Sequence, residues 1–301
     1  MGFKLAPHIR RSMKEKSRKT LMNKTIAIDA FNEMYKFIGF ANKRPVGEVM
    51  IAFLQRTVRL IELGIRPVYA FEIADDWGKS FRDNRVNRVM DSSFSEQVIS
   101  SGVQIAGHIG LPIVRAPWDG EAQAAHIVNK GDAWAAASED YDTLLFGAKR
   151  MVIKAIGMER PIVIELEDVL SELGVSLDQL IDASIIAGND YYAGIKGIGV
   201  KTALEIIRKH DSLEKISEIN LYVCGAWIDV KSNDFNRVRD IFKNPSVKSD
   251  YELEWTKPQY GLLRSYMVDD LGCDAHAVDE TISRLKRASG GKKQTSIDAF
   301  S

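Results

Sequence analysis

The order of apolar runs along this 301-residue chain predicts an α/β fold, a central, mostly parallel sheet with helices on both faces. Two observations carry that expectation. Short apolar runs alternate with longer segments whose apolar residues recur at helical spacing. Each candidate strand also closes on acids, and in open α/β sheets the carboxyl ends of the strands form the site-bearing edge.

Taken in order, "KTIAIDAF" (24–31) reads as a buried strand ending in Asp29. Residues 47–64, "GEVMIAFLQRTVRLIELG", carry a helical period and stop at Gly64. A second strand, "RPVYAFE" (66–72), ends in Glu72. Residues 74–95 are polar, basic at their centre and weakly periodic. A helix over 96–110 follows, then the strand "LPIVRAP" (111–117). "WDGEAQAAHIVNKG" (118–131) reads as a loop entering an Ala-rich helix. "DAWAAA" (132–137) is the next strand, and "SEDYDTLLFG" (138–147) gathers Glu139, Asp140 and Asp142 where it runs out. "MVIKAI" (151–156) and "RPIVIEL" (160–166) suit a hairpin, and 167–194 suits two helices. From Ala288 the chain is Gly- and Lys-rich and reads as extended. The expected organisation is one domain over 1–288 followed by a tail, 289–301.

A composition of 45% apolar and 27% charged residues suits a globular protein with a sizeable core. No run approaches the roughly 20 apolar residues of a membrane span, and no secretory leader pattern opens the chain. The expected setting is intracellular, with no membrane partner. Cys224 and Cys273 are too few for a disulfide framework or a zinc site, so both read as reduced, buried thiols. Net charge is zero, but residues 1–24 hold eight Lys or Arg against one acid, Glu15. Such a segment suits contact with phosphates and suits a solvated leader equally well.

Asp29, Glu72, Asp119, Glu121, Asp140 and Asp142 all follow candidate strands, and Asp190 closes a helical segment. Asp119 and Glu121 are two apart, as are Asp140 and Asp142, so in extended segments each pair shares a face. With no Cys or His cluster beside them, an all-oxygen set of this kind suits Mg²⁺ or Mn²⁺. Two such ions can clamp the attacking and leaving oxygens of a phosphodiester. Any one acid serves equally as the cap of a following helix. "DYD" and "DGE", however, spend more acids than one cap needs.

"GIKGIGVKTALEII" (194–207) follows Asp190 closely. Gly194, Gly197 and Gly199 permit a tight turn whose N–H groups approach a phosphate. A helix then begins near Val200, with Lys196 and Lys201 beside its positive end. This suits a grip on duplex backbone without sequence reading, or an ordinary inter-helix turn.

With these residues assembled, the chain resembles the flap endonucleases of the 5′-nuclease superfamily. "AIDA", "GIRPVYAFE", "APWDGEAQAA", "AASEDYDTLLFG", "AGNDY" and "GIKGIGVKTALEII" come in that family's order. The resemblance implies a structure-selective, divalent-metal nuclease that cuts flapped DNA at single-strand/duplex junctions in replication and repair. Asp29, Asp119, Glu121, Asp140, Asp142 and Asp190 fall on the family's metal-site carboxylates, and Glu72 on another. Gly194–Thr202 match the helix–two-turn–helix element, here about 180–210, that holds duplex DNA around a K⁺ ion. Thr202 joins the glycines and lysines of that match.

Gly2 corresponds to a near-terminal glycine that packs close to the active site. Tyr35 matches an aromatic that stacks on a substrate base, though a core tyrosine fits its position too. Lys79 matches a basic residue at the base of the family's helical arch, and Arg85 lies near a second. Both would stabilise charge on the scissile phosphate, unless they belong to a solvated basic face. The tail "QTSIDAFS" resembles a sliding-clamp-binding box anchored by Gln294, Ile297 and Phe300, with Ser301 where a second aromatic is usual.

Three departures accompany the match. The family's "FDG" is "FEI" here, Asp119 stands where Glu is usual, and the segment after Glu72 is shorter than in cellular flap endonucleases. A related exonuclease or junction nuclease with a more open gateway fits the short arch. A catalytically silent DNA- and clamp-binding scaffold and an RNase of the same fold are further alternatives.

Overall fold

The computed structural model describes residues 3–38, 45–72, 92–153, 160–218, 221–223, 226–227 and 233–290. Among them, seven strands share one sheet: β1 (Lys14–Glu15), β2 (Thr25–Asp29), β3 (Arg66–Glu72), β4 (Ile113–Ala116), β5 (Ala135–Ala137), β6 (Arg150–Ile153) and β7 (Ile162–Glu165). Their order is β1-β7-β6-β5-β2-β3-β4. Strands β4, β3, β2, β5 and β6 pair parallel, while β7 runs antiparallel to β6 and β1. The expected mostly parallel sheet and the expected hairpin pairing, β6 with β7, are both present.

The strand sequences dictate a sheet covered on both sides. Successive side chains of a strand point to opposite faces, and here both sets are apolar. Ile26, Ile28, Tyr69, Phe71 and Val152 join one core cluster, whereas Ala27, Val68, Met151 and Ile164 join the other. Helices Val46–Glu62, Ser92–Ile109 and Ala275–Gly290 cover the first face through Phe53, Leu54, Val98, Ile105, Ile282 and Leu285. Helices Gly120–Lys130 and Leu166–Leu173 cover the second, and Leu177–Ala187 and Val200–His210 extend its core beyond them.

Strand β2 neighbours both β3 and β5, although β5 lies more than a hundred residues further along the chain. Connections leave β2 to one side for β3 and β4, then jump to the other side for β5 and β6. That reversal opens a crevice at the carboxyl ends of β2 and β5. The crevice is where Asp29 and the Ser138–Asp142 loop emerge.

Several expectations need correcting. The basic leader is not a solvated arm. Phe3, Leu5 and Ile9 are buried, Lys14–Glu15 pairs with β7, and Ser12 is fastened to Glu172 through its N–H and Oγ. Most of its cations sit outside while Phe3, Leu5 and Ile9 sit inside. The helix expected from 96 starts at Ser92, and the strand expected over 111–117 covers only Ile113–Ala116. The last helix runs through Ala288 to Gly290, and residues 291–301 lie outside the described residues. Cys273 is half-buried rather than buried, its thiol directed to the Gly47 carbonyl at 3.3 Å. Cys224 lies outside the described residues. Among the described residues, no helix is long and apolar enough to cross a membrane.

Candidate active site

Asp29 ends β2 and caps the helix Ala30–Ile38. Its Oδ1 accepts the N–H groups of Phe31 at 2.9 Å and Asn32 at 3.0 Å. Asp119 does the same for the helix Gly120–Lys130, its Oδ1 accepting from Glu121 at 2.7 Å and Ala122 at 3.0 Å. Capping satisfies orphan N–H groups and places each carboxylate at the positive end of a helix. The cap reading does not compete with the site reading: these carboxylates are fixed because they are caps.

The expectation of extended, face-sharing pairs is not met. Glu121 lies in the first turn of a helix, and Asp142 opens the short helix Asp142–Leu145 with Tyr141 already in helical conformation. Each pair is brought together by a helix start, because a strand end that meets a helix turns sharply and gathers its polar residues there. Asp142 N–H donates to Asp140 Oδ1 at 3.1 Å, which closes that turn.

Glu121 Oε1 accepts from Ser138 Oγ at 2.7 Å and Asn32 Nδ2 at 2.9 Å. Ser138 Oγ also accepts the Asp140 N–H at 2.9 Å. Asp142 is 2% exposed, and its two oxygens accept the N–H groups of Phe3 at 2.9 Å and Asp190 at 3.4 Å. Glu72 reaches the same place, its Oε1 taking the Gly120 N–H at 3.3 Å. All seven expected acids thus border one crevice. Asp119 Oδ2 is occupied by the Tyr191 hydroxyl at 2.5 Å.

The electrostatics match this crowding. Burial pushes the Glu121 carboxyl well up, and Asp140, Asp29 and Asp119 push it further. Burial does the same for Asp142, reinforced by Asp140 and Asp190 and opposed by its two backbone donors. Asp140 is raised by burial and then by Asp190. Among the described residues, no three His, Cys, Asp or Glu side chains stand close enough to enclose an ion. The carboxylates of Asp29, Glu72, Asp119, Glu121, Asp140 and Asp142 are each turned onto N–H or O–H donors. Their donor set is nonetheless the one a hard divalent cation takes, oxygen only and densely negative.

Gly120 is a site residue that the spacing of acids did not single out. A Cβ on it would lie 2.6 Å from Asp29 Oδ1 and 2.7 Å from Asp29 Cγ, so only glycine lets the capped helix approach that carboxylate. Gly120→Ala is expected to cost roughly 1–3 kcal/mol of stability in a urea titration. Cleavage should fall about tenfold or more as Asp29 is displaced. Asn32, Ser138 and Tyr191 were missed for another reason: each acts by hydrogen-bonding an acid from a distant segment, which no local pattern reveals.

Beyond the acids, helices Leu177–Ala187 and Val200–His210 pack against each other across the expected turn. Gly194 and Gly197 have φ of 78° and 87°. A Cβ on Gly194 would meet the Gly188 nitrogen at 2.5 Å, so the turn closes on bare backbone. Lys196, Gly197, Gly199 and Lys201 are exposed and Thr202 is half-buried, which leaves the helix start open to a ligand. Tyr35 is 48% exposed, with its ring 6.1 Å from that of Phe31, so it is not a core tyrosine. Gly2, Lys79, Arg85, Gln294, Ile297 and Phe300 lie outside the described residues.

Comparison with known proteins agrees with this geometry. The XPG N-terminal domain model matches residues 1–83, and the XPG I-region model matches residues 110–190. Flap endonuclease 1 of Methanosarcina acetivorans is 31% identical over 323 residues, covering 91% of this chain and 93% of its own length. The solved flap endonuclease-1 from Methanococcus jannaschii superposes with a TM-score of 0.78 at 27% identity, covering 97% of this chain and all of that one. The catalytic core of Rad2 in complex with DNA substrate has a TM-score of 0.77 at 21% identity over 95% of this chain and all of its own, a likeness of fold alone. With relatives of this identity matched along nearly its whole length, and with both XPG regions in place, the chain belongs to the flap endonuclease family.

Proposed function

We propose that this chain is a structure-specific 5′ flap endonuclease and 5′–3′ exonuclease that hydrolyses DNA phosphodiesters at single-strand/duplex junctions. The observation that carries the reading is the convergence of Asp29, Glu72, Asp119, Glu121, Asp140, Asp142 and Asp190 on one crevice from strand ends far apart in sequence. Those carboxylates would hold two divalent cations, Mg²⁺ with Mn²⁺ able to replace it. Bound there, such ions activate water and stabilise charge on the attacking and leaving oxygens.

The chain's own residues do the rest. Asp142, held by two backbone N–H groups, and Asp140, folded onto the Asp142 amide, keep fixed orientations on one side of the crevice. Asp29 and Asp119 are fixed as caps of helix starts, and Glu121 by the Ser138 hydroxyl and the Asn32 side-chain amide. Gly194–Thr202 would cradle the duplex backbone, with K⁺ at the turn. Tyr35, exposed on its helix, would stack on a base beside the scissile bond, worth about 1–3 kcal/mol. Lys79 and Arg85 would meet the scissile phosphate, and Gly2 would pack near it. Gln294, Ile297 and Phe300 would engage a sliding clamp during replication and repair inside the cell.

A double-flap duplex incubated with and without Mg²⁺ tests the reading. Incision at the 5′ junction only when Mg²⁺ is present is expected. Equal cutting in chelator, or none in Mg²⁺, would refute it. The short segment after Glu72 favours a more open gateway, so a nicked duplex and a bubble belong in the same assay. Preference for either over the 5′ flap would point to the exonuclease or junction-nuclease reading.

A further inference from the structure

Asp119 is gripped at both oxygens by groups from different parts of the fold. Its Oδ1 caps the helix Gly120–Lys130, while its Oδ2 accepts the Tyr191 hydroxyl at 2.5 Å. That phenol comes from the segment between the two helices of the duplex-binding element, directly after Asp190. Its ring is wedged by Trp118 at 5.1 Å, Phe242 at 5.4 Å and Phe146 at 6.3 Å between centroids. Its N–H donates to Asn189 Oδ1 at 2.9 Å, and Asn189 Nδ2 donates to Ser184 Oγ at 3.2 Å in the helix Leu177–Ala187. Hydrogen bonds at the two ends of Tyr191, its backbone N–H and its phenol, therefore connect that helix through Asn189 to Asp119.

We infer that Tyr191 is a positioning residue: its hydroxyl sets the orientation of Asp119 for a divalent cation and couples that carboxylate to the duplex-holding element. The inference rests on the metal-site reading above. A carboxylate oxygen has room for two partners, so Oδ2 can keep the phenol and still face an ion. Pinned at both oxygens, the Asp119 carboxyl has one setting about its Cβ–Cγ bond. Hydrogen-bond partners of this sort orient metal ligands, and losing one typically costs 10–100-fold in metal affinity or activity.

Tyr191→Phe tests this cleanly, because it deletes the hydroxyl and keeps the ring in its aromatic pocket. The probe is Mn²⁺ alone, its free concentration followed by electron paramagnetic resonance as it is titrated onto the full chain. The Kd for Mn²⁺ should rise about tenfold. On a 5′-flapped duplex kcat should fall to a similar degree, while KM for DNA stays within about twofold because the phosphate contacts are untouched. A merely structural role would lower the melting temperature and leave the Mn²⁺ affinity of the folded chain unchanged. An unchanged Mn²⁺ Kd in the variant, with the parent chain binding normally, overturns the Tyr191 inference alone. A parent chain that binds no Mn²⁺ overturns the metal-site reading and this inference with it.

Discussion

Asp142→Ala is expected to end cleavage of a 5′-flapped duplex, lowering kcat by at least about a thousandfold. Affinity for the uncut duplex in chelator should stay within about twofold of the parent, because phosphate contacts lie elsewhere. Two features make Asp142 the most sensitive of the acids. It is the hub of its side of the crevice, receiving the Phe3 and Asp190 amides and standing over Asp140. It is also buried, so no water restores the missing oxygens. The loss is functional rather than structural, since the substitution relieves a repelled carboxylate instead of breaking an ion pair. A melting curve beside the cleavage assay separates the two: activity vanishes while the fold persists. Undiminished cleavage would remove Asp142 from the site.

Stability should fall as pH rises when divalent ions are withheld. Burial and mutual repulsion hold the carboxyls of Glu121, Asp140 and Asp142 above their ordinary range in the fold. A group whose folded pKa exceeds its unfolded value contributes stability that is complete below the unfolded pKa. That contribution is lost as pH rises through the folded one. In chelator the melting temperature should therefore be several degrees higher near about pH 5.5 than near about pH 7.5. Acids shifted the other way do not blur this window. Glu214 is held down to about 2 by Arg239, and Glu62 is lowered by Arg284 and Arg59, so their contributions fade only in stronger acid. His126, lowered by burial, opposes the trend, but it is only partly buried and weakly so. Adding Mg²⁺ should remove the effect by supplying the charge that protons supplied. A melting temperature that is flat or falls on acidification in chelator would show that the carboxylates are not in conflict.

The architecture was legible because it is written locally. Ile26–Ala27–Ile28 and Met151–Val152–Ile153 are apolar on both faces, which only a doubly covered sheet accommodates. The acids were legible as a group because six of the seven follow strands, where one Asp is common as a helix cap and a cluster is not. How they meet was less visible. The two-residue spacing suggested strand geometry, whereas Asp119, Glu121 and Asp142 are presented by helix starts. Gly120, Asn32, Ser138 and Tyr191 escaped notice because their partners lie on other segments, 89 residues away for Asn32 and Glu121. Residues 211–287 carried no expected helix or strand. Their helices are short or charged, and what identifies them is the face they present to helices built elsewhere in the chain.

The bond from the Phe3 amide to Asp142 has a practical consequence for handling the protein. Any peptide joined ahead of Phe3 starts beside the most buried carboxylate of the crevice. A polyhistidine tag placed there would put imidazoles within reach of the same cations and would compete for them. The Ala275–Gly290 helix belongs instead to the core cluster of Phe53 and Leu285, which does not include Phe3, so a tag joined after it is the cleaner handle for purification.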